Sequence, residues 1–422
     1  MAEISKPLLV FQAPVATRSG YGDHARDLVR SLISLDKYDI RIISTRWGST
    51  PLTGLNIQNE NDKIIIERIG LPIDRKPDVY MQLTVPNEFQ KMGNYNIGIT
   101  AGIETTVAPK DWIDGCNRMD LIITTSKFSK EVLEKTSYIE KDNRTGQIVN
   151  TFKISKPIEV LFEGYNKSFE VDEIKNISEL NKINEEFAFL FVGHWLPGEL
   201  GHDRKDIGMM IKSFCHAFNK EKKKPALIIK TSSAGFSVRD REAMAGRIEE
   251  CTKEFGKECP SIYLLHGECS DLEMNGLYHN EKIKALVSFT HGEGFGRPLL
   301  EFSLTGKPVV ASNWSGHLDF LKEGAVLLDG ELKEVHPSAQ NQFILQGSKW
   351  FYVNYSGAIN KLKDIYNNYD KYKINSFQLG KQNKQNFSLE KMTKQFEEIL
   401  SKYVSTIKQF IPLNLPILKK LD

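Results

Sequence analysis

No stretch of this 422-residue chain comes near the ~20 consecutive apolar residues that a membrane-spanning helix requires. The opening, MAEISKPLLVFQAP, carries an acid early and too short an apolar run to serve as a secretory leader. Neither sign of charge is in excess: 56 basic residues stand against 54 acidic ones, a formal net charge of +2. That excludes a strong global field drawing the chain to a polyanion or an anionic bilayer, while leaving room for local patches. The five cysteines, Cys116, Cys215, Cys251, Cys259 and Cys269, are odd in number and form no C-x-x-C pair. This argues against a disulfide framework or a zinc site and for reduced thiols in a cytoplasmic protein. Internal repeats and long low-complexity tracts are missing as well.

What the chain does have is length and alternation. At 422 residues it exceeds the ~250–300 at which one core stops growing, so two domains are expected. A hydrophobic share of 40% and a charged share of 26% are those of an ordinary globular protein. Short apolar runs alternate with helical patterns, the mark of α/β architecture with parallel sheets. Strands are expected at 7–13, 39–44, 78–83, 95–100, 120–126 and 158–162, with helices at 22–35 and 127–135. The charged stretch 166–186 reads as a linker or boundary helix. Alternation then resumes, with strands at 187–193, 226–232, 261–267, 285–290 and 308–313 and helices near 205–219, 238–255 and 271–279. The expected division is residues 1–175, a first Rossmann-like domain; 176–385, a second; and 386–422, a helical segment able to pack back on the first. Two doubly wound domains facing each other leave a ligand cleft between the carboxyl ends of their strands.

Two glycine loops stand out. Near the start, Gly20-Tyr21-Gly22-Asp23-His24-Ala25 fits G-x-G-x-x-A. A dinucleotide fold places its first glycine directly after the strand and an acid at the end of the next strand. Here Ala13 to Ser19 intervene, and Thr45 and Arg46 occupy the acid's place. An NAD-dependent oxidoreductase is thus the weaker alternative. Gly20 and Gly22 form either a plain turn or a backbone cradle that lets a substrate or phosphate approach a helix N-terminus, with Arg18 adding charge. His24, just inside the helix, reads as structural.

The second loop lies in SFTHGEGFGRPLLEFSLTGKPVVASNWSGH, residues 288–317. A strand, the loop His291 to Arg297, and a helix opened by Pro298 follow one another. Such a loop offers free amides to a diphosphate, but Glu293 and Glu301 would repel one. The glutamates must therefore face something neutral with paired hydroxyls, as sugars present, unless Glu293 is merely solvated and Glu301 merely favours a helix dipole.

The E-x7-E pair inside EGFGRPLLE, followed by GKPVVAS and SGH, resembles the retaining glycosyltransferases of the GT-B fold, specifically glycosyltransferase family four. The resemblance implies that Glu293 contacts a donor sugar, Glu301 a nucleotide ribose, and the backbone of Gly294, Phe295 and Gly296 the sugar and diphosphate. It spans most of the chain. FLFVGHWLPGELGHDRKDIGMMIKSF is similar to the segment that opens the family's second domain, implying Lys205, with Arg204 beside it, as the diphosphate's cations. His194 stands where the family often has arginine. SIYLLHGECSDLEM resembles the strand and loop covering the base and points to the backbone of Gly267, Glu268 and Cys269. GIETTVAPKDWIDGCNRMDLIITTSKFSKEVL resembles the acceptor side, with Glu104 the foremost candidate and Arg18, His202 and Lys230 further ones.

The chain has no D-x-D triplet, the usual grip on a metal-bound nucleotide sugar, so Lys205 and Arg204 are expected to replace a cation. The implied activity is metal-independent sugar transfer from a nucleotide-diphosphate donor, with UDP-sugars favoured over GDP-sugars and no further cofactor. The acceptor is open among a saccharide, a lipid-linked sugar, a protein and a modified nucleic-acid base. A second alternative is a protein of the same fold that binds a nucleotide sugar without turnover.

Overall fold

The computed structural model describes residues 6–142, 144–170, 174–233 and 235–404. The first domain runs β1 (Leu8–Ala13), α1 (Gly20–Leu35), β2 (Asp39–Ser44), α2 (Glu60–Ile66), β3 (Val79–Leu83), β4 (Tyr95–Thr100), α3 (Lys110–Arg118), β5 (Leu121–Thr124) and α4 (Lys127–Lys135). A hairpin, β6 (Ser137–Lys141) and β7 (Ile148–Lys153), and then β8 (Ile158–Val160) complete it. The second domain runs β9 (Ala188–Val192), α5 (Ile207–Phe218), β10 (Ala226–Lys230), α6 (Val238–Thr252), β11 (Ile262–Leu265), α7 (Asp271–His279), β12 (Ile283–Ser288), α8 (Arg297–Ser303), β13 (Val309–Ser312) and β14 (Val326–Leu328). A second hairpin, β15 (Gly330–Glu334) and β16 (Lys349–Val353), leads into α9 (Tyr355–Asn367), α10 (Tyr369–Asn386) and α11 (Leu389–Val404).

Each domain holds a six-stranded sheet, ordered β2-β1-β3-β4-β5-β8 in the first and β11-β10-β9-β12-β13-β14 in the second. All pairs within both sheets are parallel. Strands sandwiched by helices are buried on both faces, which is why LLVFQA, AFLFV and ALIIK read as nearly unbroken apolar runs. The helices are specified locally. Ser19 caps α1 by accepting from the Gly22 amide, and Ala25, Leu28, Val29 and Leu32 recur at helical spacing and are fully buried. Ser270 and Glu273 close a capping box on α7.

The chain crosses between domains twice, and the two crossings touch. The amide of Tyr165 donates to the Phe387 carbonyl at 3.0 Å, and the Tyr165 hydroxyl donates to the Lys384 carbonyl, also at 3.0 Å. The backbone at Gly164 passes so near α11 that an added Cβ would lie 2.7 Å from the Leu389 Cα. After the second crossing α11 returns to the first domain and buries Met392, Phe396, Ile399 and Leu400 among Leu28, Leu32, Ile97 and Ile123.

Two of the elements absent from the sequence reading, the β6–β7 hairpin and α3, carry a weak apolar signal. The β6–β7 hairpin is largely exposed and polar, so it lacks the apolar run by which the other strands are visible. Helix α3 is short and shows its face only through Trp112, Ile113 and Cys116. The stretch 166–186 contains two short 3-10 turns, Lys167–Phe169 and Ser178–Lys182.

Candidate functional site

In each sheet the strand order reverses beside the domain's first strand, so the loops after β9 and β12 splay apart at a switch point, as do those after β1 and β3. The loop after β9 carries Arg204 and Lys205; the loop after β12 carries Glu293. The two are tied together where the His291 amide donates to the Arg204 carbonyl at 2.8 Å.

Glu293 is buried, and its carboxylate bridges two cations. Lys205 Nζ pairs with Oε1, and Arg204 Nη1 lies 3.3 Å from Oε2 and 3.1 Å from the Gly292 carbonyl oxygen that accepts from it. Burial alone would raise the carboxyl's pKa, but the charges of Lys205 and Arg204 outweigh it and bring it down to about 2. Burial lowers the Lys205 ammonium, while the Glu293 charge opposes that shift. Glu104 reaches in from the first domain, 3.6 Å from Arg204 Nη1. The site is therefore a row of alternating charges, Glu104, Arg204, Glu293 and Lys205, spanning the cleft.

The glycines around Glu293 answer to close packing. An added Cβ at Gly292 would overlap the Glu104 carbonyl, and one at Gly294 the Ala101 carbonyl, so this loop is pressed onto the first domain's Ala101–Glu104 turn. Among the described residues the amides of Gly294, Phe295 and Gly296 donate to no protein acceptor, although all three residues are buried. Such amides are what an incoming anion needs. The Phe295 side chain belongs to the core with Leu299 and Phe320. The Glu293 amide donates to Ser315 Oγ at 2.9 Å. Ser315 is held at φ 86°, ψ −163°, a region residues with side chains rarely adopt. His317, in the same turn, is buried and hydrogen-bonded through Nε2 to the Ser312 carbonyl at 2.7 Å.

Glu301 stands in a second cluster. It sits one turn into α8 and is already engaged: Arg297 Nε donates to Oε1 at 2.9 Å, and the Tyr278 hydroxyl to Oε2 at 3.3 Å. Burial raises its carboxyl to about 7, against the pull of Arg297. Arg297 also reaches the first domain, 2.8 Å from Asp27 Oδ2 and 3.9 Å from Glu163 Oε2. Burial pushes Glu163 up to about 8. His24 lies fully buried, its ring lowered to about 3 by burial and then by the Arg297 charge, and neither ring nitrogen has a partner among the described residues. Arg297, Asp27, Glu163 and Ser315 were invisible as site residues in the sequence; the one available signal was the Arg297–Glu301 spacing of four on a helix.

A third group closes the rim over the loop expected to cover a base. Arg18 donates to the Cys269 carbonyl, Thr53 Oγ1 to Glu268 Oε2 at 3.0 Å, and Lys230 Nζ to the Gly267 carbonyl at 2.5 Å. The remaining candidates are dispersed. His194 is exposed, with Nδ1 3.2 Å from Ser232 Oγ. His202 stacks on His336 at 4.0 Å and lines a separate cavity of about 450 Å³. Gly20 is exposed with open space around it, whereas Gly22 packs against the Thr17 backbone.

No protein-family model matches the chain, and no curated protein is similar to it in sequence. Solved structures do match in fold. A glycosyltransferase from Rickettsia africae is 15% identical, with 95% of this chain and 99% of that one covered at a TM-score of 0.59. Anabaena HepE in complex with UDP and glucose is 11% identical over 94% of this chain and 100% of that one, at 0.57. The trehalose 6-phosphate synthase from Burkholderia multivorans is 10% identical over 96% and 100%, at 0.61. With two parallel six-stranded sheets aligned over nearly the whole of both chains, the fold is GT-B.

Proposed function

We propose that this protein is a retaining, metal-independent glycosyltransferase of the family-four type, moving a sugar from a nucleotide-diphosphate donor to an acceptor hydroxyl. The observation that carries the reading is Glu293 held ionised between Lys205 and Arg204, at the switch point of the second sheet and facing the first domain. In this reading the donor diphosphate takes the place of the two carboxylates at Arg204 and Lys205 and meets the unpaired amides of Gly294 to Gly296. The released Glu293 carboxylate accepts hydrogen bonds from sugar hydroxyls.

As the bond from the anomeric carbon to the phosphate oxygen breaks, negative charge grows on the diphosphate. Arg204 and Lys205, already in position, stabilise it, an effect worth about 3–4 kcal/mol per preorganised donor in comparable sites. The departing phosphate oxygen takes the proton of the acceptor hydroxyl on the same face, which retains configuration and requires no protein base. Glu301 accepts from the ribose hydroxyls, and the backbone of Gly267 to Cys269 covers the base. UDP-sugars are favoured over GDP-sugars, in keeping with the UDP named in the Anabaena HepE complexes.

Thermal stabilisation by a panel of UDP- and GDP-sugars tests the donor, since a ligand at ~100 times its dissociation constant adds about 2.7 kcal/mol. A panel without any shift would refute the assignment. Steady-state kinetics test the division of labour: Glu301→Ala is expected to weaken nucleotide binding, and Glu293→Ala mainly to slow transfer.

A further inference from the structure

The Arg297 side chain is 11% exposed and lies between Glu301 in its own domain and two acidic side chains of the other, the Asp27 carboxylate on α1 and the carboxyl of Glu163. Glu163 directly precedes Gly164, where the chain leaves the first domain, beside the second crossing at Phe387. One guanidinium thus touches the expected ribose-binding carboxylate, the helix behind the first glycine loop, and the joint between domains. We propose that Arg297 is a positioning residue that couples nucleotide occupancy at Glu301 to closure of the two domains. The proposal deepens the reading of Glu301 as the ribose ligand and depends on that reading for its nucleotide half.

The geometry supports a joint that can be released. Asp27 has a second, local cation, with Arg30 Nη1 3.2 Å from Oδ1, so opening the domains does not strand it. Glu301 keeps the Tyr278 hydroxyl. The 2.8 Å contact between Arg297 Nη1 and Asp27 Oδ2 is electrostatic and lacks hydrogen-bond alignment. Arg297 itself has no other carboxylate within its own domain among the described residues. A ribose that engages Glu301 fixes the carboxylate that fixes Arg297, which favours the closed arrangement in which Asp27 and Glu163 are within reach. By reciprocity, closure raises nucleotide affinity.

The test uses the full chain with UDP as probe, comparing wild type with Arg297→Met, Arg297→Lys, Asp27→Asn and the double variant Arg297→Met/Asp27→Asn. Small-angle scattering without ligand reads closure, calorimetry reads UDP affinity, and circular dichroism with melting shows which variants are folded. Arg297→Met is expected to expand the unliganded protein and weaken UDP about tenfold, within the ~5- to 150-fold range of ordinary coupling. Asp27→Asn, on the opposite domain, is expected to weaken UDP by a similar factor, and the double variant no more than the single ones. Arg297→Lys, which cannot span both partners, should resemble Arg297→Met.

Unliganded scattering of folded Arg297→Met or Arg297→Lys that superposes on wild type would overturn the latch, as would an unchanged UDP affinity in Asp27→Asn or strictly multiplicative losses. Glu301→Gln separates the two readings. If it leaves UDP affinity intact, the ribose assignment fails, and the unliganded scattering still decides whether Arg297 holds the domains together.

Discussion

Replacing Glu293 by Gln removes one negative charge and almost no volume, so its effect reports on the two cations it leaves behind. The Lys205 and Glu293 side chains are only 10% and 9% exposed, and Glu293 is the one carboxylate paired with Lys205 among the described residues. Breaking a buried pair typically costs about 3–5 kcal/mol. The lower end is expected here, because Arg204 retains Glu104. About 3 kcal/mol corresponds to a fall of roughly 6–12 °C in the melting temperature of a unit of this size. If the diphosphate occupies the same cations, UDP supplies the missing charge, and the variant should gain more from UDP than wild type does. Differential scanning fluorimetry without UDP and with one fixed UDP concentration, ~100 times the wild-type dissociation constant, measures both quantities. A UDP-induced shift equal to or smaller than that of wild type would refute the placement of the diphosphate at Lys205 and Arg204.

Glu104→Gln removes the competing carboxylate on the first domain. That side chain is 36% exposed, which limits the pair to the ~0.2–1 kcal/mol of surface ion pairs, so UDP should bind up to about fivefold tighter by calorimetry, with weaker binding the contrary result. Glu163 has a folded-state pKa near 8 against an ordinary 4.5, so its contribution to stability is complete below pH 4.5 and is lost as pH rises through 8. Denaturant titrations across pH 5–9 should therefore show wild type losing up to about 1.4 kcal/mol per pH unit relative to Glu163→Gln within that window, and parallel curves would contradict it. Phe396→Ala, in a fully buried position on α11, should destabilise the first domain by about 3–5 kcal/mol, read as an early unfolding phase by far-UV dichroism.

The double Rossmann-like architecture was legible because parallel strands buried on both faces leave apolar runs, and glycines and caps mark where they turn. The strand 39–44 and the helices 127–135 and 271–279 fall at the residues the periodicity indicated. Glu293 was legible through its place in a glycine loop, whereas Lys205 and Arg204 came only from the family resemblance of their segment; the three meet in space. The state of Glu301 was not, because sequence shows neither the depth of α8 nor the carboxylates of α1 and β8's exit that gather around Arg297. Asp27 and Glu163 look in sequence like any acid on a solvated helix or loop, yet both are buried and within reach of Arg297 from the other domain. The resemblance implied a donor contact for the backbone of Gly294, and sequence alone did not show that the Ala101–Glu104 turn presses on both Gly292 and Gly294.

The return of α11 has a consequence for how the protein comes into being. The core of the first domain lacks Met392, Phe396, Ile399 and Leu400 until the ribosome has finished the entire second domain. At about 5–20 residues per second, the sheet face that α11 covers waits on the order of tens of seconds for its last helix. During synthesis the second domain can therefore complete its core first, although it is encoded later. A permuted chain that begins with α11 and is joined to the strand at Leu8 would reverse that order and free the first domain from its dependence on the rest.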